Sequence, residues 1–223
     1  MNRGFYIILS AQFFSALADN ALLFAAIALL KLLDSPAWHE PLLREFFVIS
    51  YIVLAPFVGA FADAIPKGRV MLASNTIKIA GCLAMLLGMA PLYAFAIVGI
   101  GAAAYSPAKY GILTEILPSS LLVKANSWME GSTVAAIITG FIVGGVASAT
   151  NPFFAIKLIL LLYLVAAIFN LFIPHVPIDH KLPKKSPGFV VHDFWHVFKL
   201  LWKDQQGKIS LAVTSGTWRG DAR

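Results

Sequence analysis

The chain has 223 residues, 59% of them hydrophobic and only 13% charged, with a mean hydropathy of +0.80, whereas soluble domains usually carry about 25% charged residues. These figures exclude a water-soluble globule and a disordered chain. They read as a polytopic α-helical membrane protein, since a bilayer-crossing helix needs roughly 20 apolar residues. The apolar runs are continuous rather than alternating, which argues against a β-barrel. Cys82 is the only cysteine, so there is no disulfide framework, and its apolar surroundings suit a small buried hydrophobe.

The first run extends from about Phe5 to Leu30. A signal-peptide core is typically about 7 to 15 residues, so this longer run reads as a retained helix. The polar segment Lys31 to Glu45, with Pro36 and Pro41 as breakers, closes it. A second run covers about Phe46 to Ile65, Pro66-Lys67-Gly68-Arg69 makes a basic turn, and a third runs from about Val70 to Ala90. Pro91 separates it from a fourth, about Leu92 to Leu117, with so short a link that the two form an antiparallel hairpin. After Pro118, with Ser119 or Ser120 as N-cap, a fifth helix runs to about Ala149. Asn151-Pro152 is the next turn, and the sixth run, about Phe153 to Ile173, ends at Pro174 and Pro177. Residues 1–173 are therefore expected to form a six-helix transmembrane bundle.

The net charge is +6, and the segment from Pro174 onward holds eight Lys/Arg against four acids, which supplies +4 of it. Because this basic excess directly follows an apolar run, the positive-inside rule and attraction to anionic headgroups explain it, and no nucleic-acid partner is expected. Arg3, Lys67, Arg69, Lys124 and the basic tail fall on one side, while Lys31, Arg44 and Lys157 fall on the other. Both termini are accordingly expected to be cytoplasmic. Residues 174–188 read as a cytoplasmic basic linker and 189–204 as an amphipathic interfacial helix, with Phe194, Val197, Phe198 and Leu201 on one stripe. His192 and His196 lie at i, i+4, but without a third ligand they read as part of a solvated face rather than a metal site. Residues 205–223 start like a seventh apolar span and turn polar after Val213, as a truncated or frameshifted copy would.

Ionisable groups inside a membrane cost about 2.5 to 3.5 kcal/mol each, so they mark sites where a partner or a wet cavity is needed. Asp19 lies near the middle of the first span, and Gln12, Ser15 and Asp19 share a helical face, with Asn20 adjoining. This polar stripe is expected to face a central cavity, where Asp19 binds a cation, carries a proton or pairs with a basic group. Lys78, three residues after Asn75, either snorkels to the interface or contacts substrate. Asn126 and Glu130 lie at i, i+4, so Glu130 is either a second intramembrane carboxylate or part of an interfacial network. The segment Tyr105-Ser106-Pro107-Ala108-Lys109-Tyr110-Gly111 is expected to interrupt the fourth span and present polar groups to the cavity. Lys109 in it is a candidate phosphate contact or, alternatively, pairs with Glu115 or headgroups. Gly140 and Gly144 form a small-xxx-small pair that Gly145 extends.

The stretch Gly59-Ala60-Phe61-Ala62-Asp63-Ala64-Ile65-Pro66-Lys67-Gly68-Arg69 resembles the cytoplasmic signature of the major facilitator superfamily. Glu115-Ile116-Leu117-Pro118 followed by Lys124-Ala125-Asn126 resembles that superfamily's fourth-to-fifth helix connection. Four segments together, beginning at Ser15, Ala55, Gly101 and Val123, resemble the bacterial lysophospholipid transporter family, and the likeness runs in order from about Gln12 to Val213. The resemblance implies an all-α membrane protein, the amino-terminal half of a major facilitator fold, with a second six-helix half completing the substrate site near the midplane.

It further implies movement of lysophospholipids, chiefly lysophosphatidylethanolamine, across the bacterial inner membrane, with a partner acyltransferase and sodium or proton coupling but no other cofactor. Asp19, Asn20, Lys78, Tyr105, Lys109 and Glu130 are then the expected substrate or ion contacts, and Gly59, Asp63, Lys67, Arg69 and Asn126 the expected conformational set. The competing readings are a transporter of another amphipathic or small solute, and a membrane acyltransferase. The latter is disfavoured because the sequence has no clustered metal ligands and no phosphate-binding Gly-rich loop.

Overall fold

The computed structural model describes residues 1 and 3–174, except for the side chains of residues 55–57 and 59–64. Six helices occupy this region: α1 (Arg3–Leu32), α2 (His39–Ala64), α3 (Lys67–Leu86), α4 (Pro91–Ile116), α5 (Ser119–Thr150) and α6 (Pro152–Leu171). Among the described residues all of these except α2 are long and apolar enough to cross a membrane. The linker, interfacial helix and seventh-span start expected beyond Pro174, with His192 and His196, lie outside the described residues.

Local chemistry sets the boundaries. Proline begins α4 and α6, where a missing N–H costs nothing. At α6 the Asn151 side chain also accepts from the backbone N–H groups of Phe153 at 2.8 Å and Phe154 at 3.3 Å, so the expected turn is a helix cap. The expected Ser119 or Ser120 cap is not formed: Pro118 occupies the N-cap position of α5 and both serines are helical. Helix α2 starts a full turn and more before Phe46, because Pro41 sits in its first turn, where proline is tolerated, instead of breaking it. Helix α3 stops short of Ala90 because Gly88 takes a left-handed φ of 95°. Pro107 does not interrupt α4, which runs continuously through it. Packing on neighbouring helices holds the helix across the lost hydrogen bond.

Two apolar clusters show how the helices alternate. One joins Phe5 and Ile8 of α1 with Val70 and Met71 of α3, Ile112 and Leu113 of α4, and Ala125 and Met129 of α5. The other joins Ala25 and Leu29 at the far end of α1 with Leu43 of α2, Met85 of α3, Ala94 and Val98 of α4, and Ile156 and Ile159 of α6. Odd-numbered helices thus start at the first end and even-numbered helices at the second. Arg3, Lys67, Arg69 and Lys124 share the first end, and Lys31, Arg44 and Lys157 the second, as the loop charges implied.

The outside is as apolar as the inside. Val134, Ile138, Ile142 and Val146 lie exposed along α5, and Val48, Ile49, Ile52 and Val53 along α2. Water gives no drive for burying such surfaces in a bilayer, so close backbone packing takes over. Helix α1 presses on α5 at Gly140 and Gly144. A Cβ on Gly140 would meet the Leu17 carbonyl at 2.7 Å, and one on Gly144 would meet the Ala21 carbonyl at 2.6 Å. Gly145, expected to extend the pair, has no neighbour within 4 Å at its Cβ position and does not take part.

Backbone cannot yield as a flexible side chain can, so Gly144→Val should force α5 away from α1. The expected loss is about 1 to 3 kcal/mol or more, by analogy with overpacked cores. Gly145→Val should be close to neutral. Denaturant titration of both variants in detergent checks the contrast.

Candidate functional site

The centre of the bundle carries a connected polar network. The helical stripe of α1 places Gln12, Ser15 and Asp19 on one face, and α3 presents Asn75 and Lys78 to it. The Lys78 ammonium donates to Asp19 Oδ2 at 2.7 Å and to Ser15 Oγ at 2.9 Å. Ser15 in turn donates to Asn75 Oδ1 at 2.8 Å. Tyr163 of α6 donates its hydroxyl to the other Asp19 oxygen, Oδ1, at 2.8 Å. Both carboxylate oxygens are therefore engaged, one by a cation and one by a phenol.

Lys78 is held from all sides. Its side chain is 1% exposed against 19% for that of Asp19, so the pair meets the cavity through its acidic member. The ammonium stands 5.0 Å from the centre of the Tyr105 ring and 5.8 Å from that of Tyr163, which adds cation–π attraction. Gly101 makes this possible: a Cβ there would meet the Ser74 carbonyl at 2.6 Å and Lys78 Cγ at 2.8 Å. Snorkelling, one of the two readings of Lys78, is thereby overturned. The side chain reaches inward because a carboxylate, a hydroxyl and two aromatic faces are available there, while Glu115, beside the start of α3, is taken by Lys67.

Beside this pair lies a cavity of about 420 Å³. Asp19, Asn20, Lys78, Tyr105 and Lys109 line it, together with Arg44, Tyr51, Ser106 and Thr133. Apolar walls are supplied by Leu23, Phe47, Val48, Phe95 and Ile137. Asn20 donates to the Ala16 carbonyl at 2.8 Å. Gln12 donates to Thr133 Oγ1 at 2.5 Å, tying α1 to α5. Lys109 has its ammonium 4.6 Å from the centre of the Tyr110 ring and forms no ion pair among the described residues. The alternative pairing of Lys109 with Glu115 does not occur, since Glu115 is taken by Lys67. The Tyr105 hydroxyl is buried without a hydrogen-bond partner among the described residues.

Other expected site residues fall elsewhere. Glu130 is exposed on α5 and accepts from the Tyr110 hydroxyl; it does not line the cavity. It lies one turn before Thr133 on the same side of α5, but its carboxylate is taken by Tyr110 instead of reaching the cavity. Asn126 is exposed near the start of α5. Lys67 and Arg69 open α3 at the end where the chain begins. Gly59 and Asp63 fall within α2, and their side-chain roles lie outside the described residues. Sequence reasoning missed Arg44, Tyr51 and Tyr163. Tyr163 had one usable signal, the single hydroxyl of a run that is otherwise apolar apart from Lys157 and Asn170.

Residues 8–218 match the model of the Major Facilitator Superfamily. The chain is 46% identical over 218 residues to the lysophospholipid transporter LplT of Yersinia enterocolitica serotype O:8, a match covering 98% of this chain and 54% of that protein. The proteins of the same name from Yersinia pestis strain Pestoides F and Yersinia pseudotuberculosis serotype O:3 match with the same identity and coverage. The chain spans about half the length of the curated relatives it matches.

The buried pair sets a clear expectation for stability. Removing one partner leaves the other uncompensated, which costs about 3 to 5 kcal/mol in soluble proteins. Asp19→Asn and Lys78→Met should each destabilise the bundle by an amount of that order, and the double variant should recover most of the loss. A double-mutant cycle of denaturation in detergent measures the coupling, and additive losses would show that the pair does not act as a unit.

Proposed function

The chain belongs to the major facilitator superfamily, and from that premise we propose that it forms the amino-terminal half of a lysophospholipid transporter of the bacterial inner membrane. The observation that carries this reading is the cavity itself, which offers an acidic group and basic groups to one bound molecule between apolar walls. A zwitterionic headgroup has the matching chemistry. Its ammonium meets Asp19 and Asn20, its phosphate meets Lys109 and Arg44, and the acyl chain follows the Leu23 and Phe47 side. The name of the Yersinia relatives supports this substrate class.

In this reading the protein transports rather than transforms its ligand. An arriving ammonium or sodium ion competes with Lys78 for the Asp19 carboxylate, so cation binding and rearrangement of the α1–α3 contact are the same event. This is the route by which a sodium or proton gradient would couple to movement, with Asp19 as the group that exchanges partners. A second six-helix half closes the open side of the cavity, and both termini face the cytoplasm. Lysophosphatidylethanolamine delivered inward is then re-acylated by a partner acyltransferase.

Lys109 gives the cleanest test because it holds no ion pair among the described residues whose loss would unfold the bundle. With the chain expressed beside a carboxy-terminal half in cells depleted of their native transporter, Lys109→Gln should lower uptake of labelled lysophosphatidylethanolamine by about tenfold, the scale of one lost charged hydrogen bond. Its melting temperature should be unchanged, and Lys109→Arg should retain most of the uptake. Wild-type uptake that unlabelled lysolipid fails to compete, while a sugar or drug does, would assign the cavity to another solute.

A further inference from the structure

A second cavity, of about 220 Å³, opens between the start of α3, the end of α4 and the end of α6. It is unrelated to the central cavity and carries a different chemistry. Its floor is the first turn of α3, where Pro66 holds the N-cap position and has no side chain that can cap the helix. The Pro66 carbonyl accepts from the N–H groups of Arg69 at 2.8 Å and Val70 at 3.2 Å, within the first turn. The N–H groups ahead of these point out of the helix, and the helix dipole adds partial positive charge at the same place.

Above this turn stands Asn170 of α6. It is 4% exposed, and neither its amide nitrogen nor its amide oxygen has a hydrogen-bond partner among the described residues. A buried amide left unpaired costs about 1 to 3 kcal/mol for each group, so a bare site is unfavourable. Gly68 fixes the geometry, because a Cβ there would meet Ile173 Cγ2 at 3.0 Å, which lets the end of α6 lie on the start of α3. Arg69 and Lys67 line the same space, with Glu115 as the opposing carboxylate, paired to Lys67. Among the described residues the balance is cationic, with two basic groups, one acid and a helix N-terminus.

From these groups we infer that the cavity beside Asn170 binds a phosphate-type oxyanion, either free phosphate or the headgroup phosphate of a membrane lipid. The Asn170 amide nitrogen donates to one anion oxygen and the Arg69 guanidinium to two, for which its planar fork is suited. The Gly68 N–H in the first turn of α3 takes the remaining oxygen. The Asn170 oxygen accepts from a protonated phosphate oxygen or from a water held by the anion. The site does not rest on the transport reading, and its test measures binding alone.

The test is thermal unfolding of the intact chain in dodecyl maltoside, titrated with inorganic phosphate or with phosphatidylglycerol, with chloride at matched ionic strength as reference. Either phosphate source should raise the midpoint where chloride does not. Stabilisation by inorganic phosphate assigns a soluble ligand, and stabilisation by phosphatidylglycerol alone assigns a lipid headgroup. Asn170→Leu and Arg69→Gln should each weaken the apparent affinity about tenfold, as expected for loss of a charge-assisted hydrogen bond. Lys157→Gln, at the other end of the bundle, should leave it unchanged. Without anion, Asn170→Leu should be at least as stable as the native chain, since it removes an unsatisfied amide. Absence of a phosphate-specific shift in the native chain, or native affinity in Asn170→Leu or Arg69→Gln, overturns the assignment.

Discussion

The ion pair between Asp19 and Lys78 is the constraint around which the rest of the bundle is arranged. Either charge alone would cost about 2.5 to 3.5 kcal/mol to insert, and together they are neutral and hydrogen-bonded. Neutrality alone is insufficient, because each partner has further donors or acceptors to satisfy. Tyr163 takes the second carboxylate oxygen, Ser15 takes another ammonium proton, and Tyr105 offers its ring. Helices α1, α3, α4 and α6 each supply a member, so the pair fixes how four helices meet. Gly101 shows the backbone adapting to it, since the Lys78 stem lies where any larger residue of α4 would stand.

A saturated pair behaves differently from an open carboxylate. Nothing reaches Asp19 as an extra ligand without displacing Lys78 or Tyr163 or sharing with them. The asymmetry of exposure says which member the cavity addresses: Asp19 is partly open, whereas Lys78 is sealed. A cation entering the cavity would meet the acidic side first, while the Lys78 ammonium lies between two aromatic rings that favour a positive charge. Lys109 stands in the opposite condition, with an aromatic neighbour and no ion pair among the described residues. One basic group of the cavity is thus committed to structure and another is available for an anion.

Much of this was legible in the sequence, for identifiable reasons. The helices follow from apolar run length, and the stripe of Gln12, Ser15 and Asp19 follows from helical period, which is a property of one segment. The Gly140 and Gly144 contact follows from spacing in the same way. What failed to show was anything set by two segments at once. Lys78 stayed open between snorkelling and substrate contact because its partner lies 59 positions away, and Tyr163 was not singled out because its acceptor lies 144 positions away. Glu130 stayed open between an intramembrane carboxylate and an interfacial network because its partner, Tyr110, lies on another helix. The α4 interruption failed for the converse reason: the local cost of Pro107 was visible and the neighbouring helices that offset it were not.

The outer surface of the bundle divides into two kinds. Along α6, Leu161, Leu164 and Ile168 are exposed with no polar group among them, and hydrocarbon satisfies such a face fully. On the α4–α5 side the apolar residues are interspersed with the exposed Glu130 and Tyr110 pair, and Asn126 and Ser127 lie nearby on α5. Hydrocarbon leaves such groups without donors and acceptors, at a cost of several kcal/mol each. The Tyr110 to Glu130 hydrogen bond reduces that cost but leaves the second carboxylate oxygen in need of a donor. This face is therefore better matched to water or to another polar protein surface than to lipid tails. It adjoins the central cavity through Lys109 and Thr133, so whatever covers it also borders the site where Asp19 and Lys78 meet.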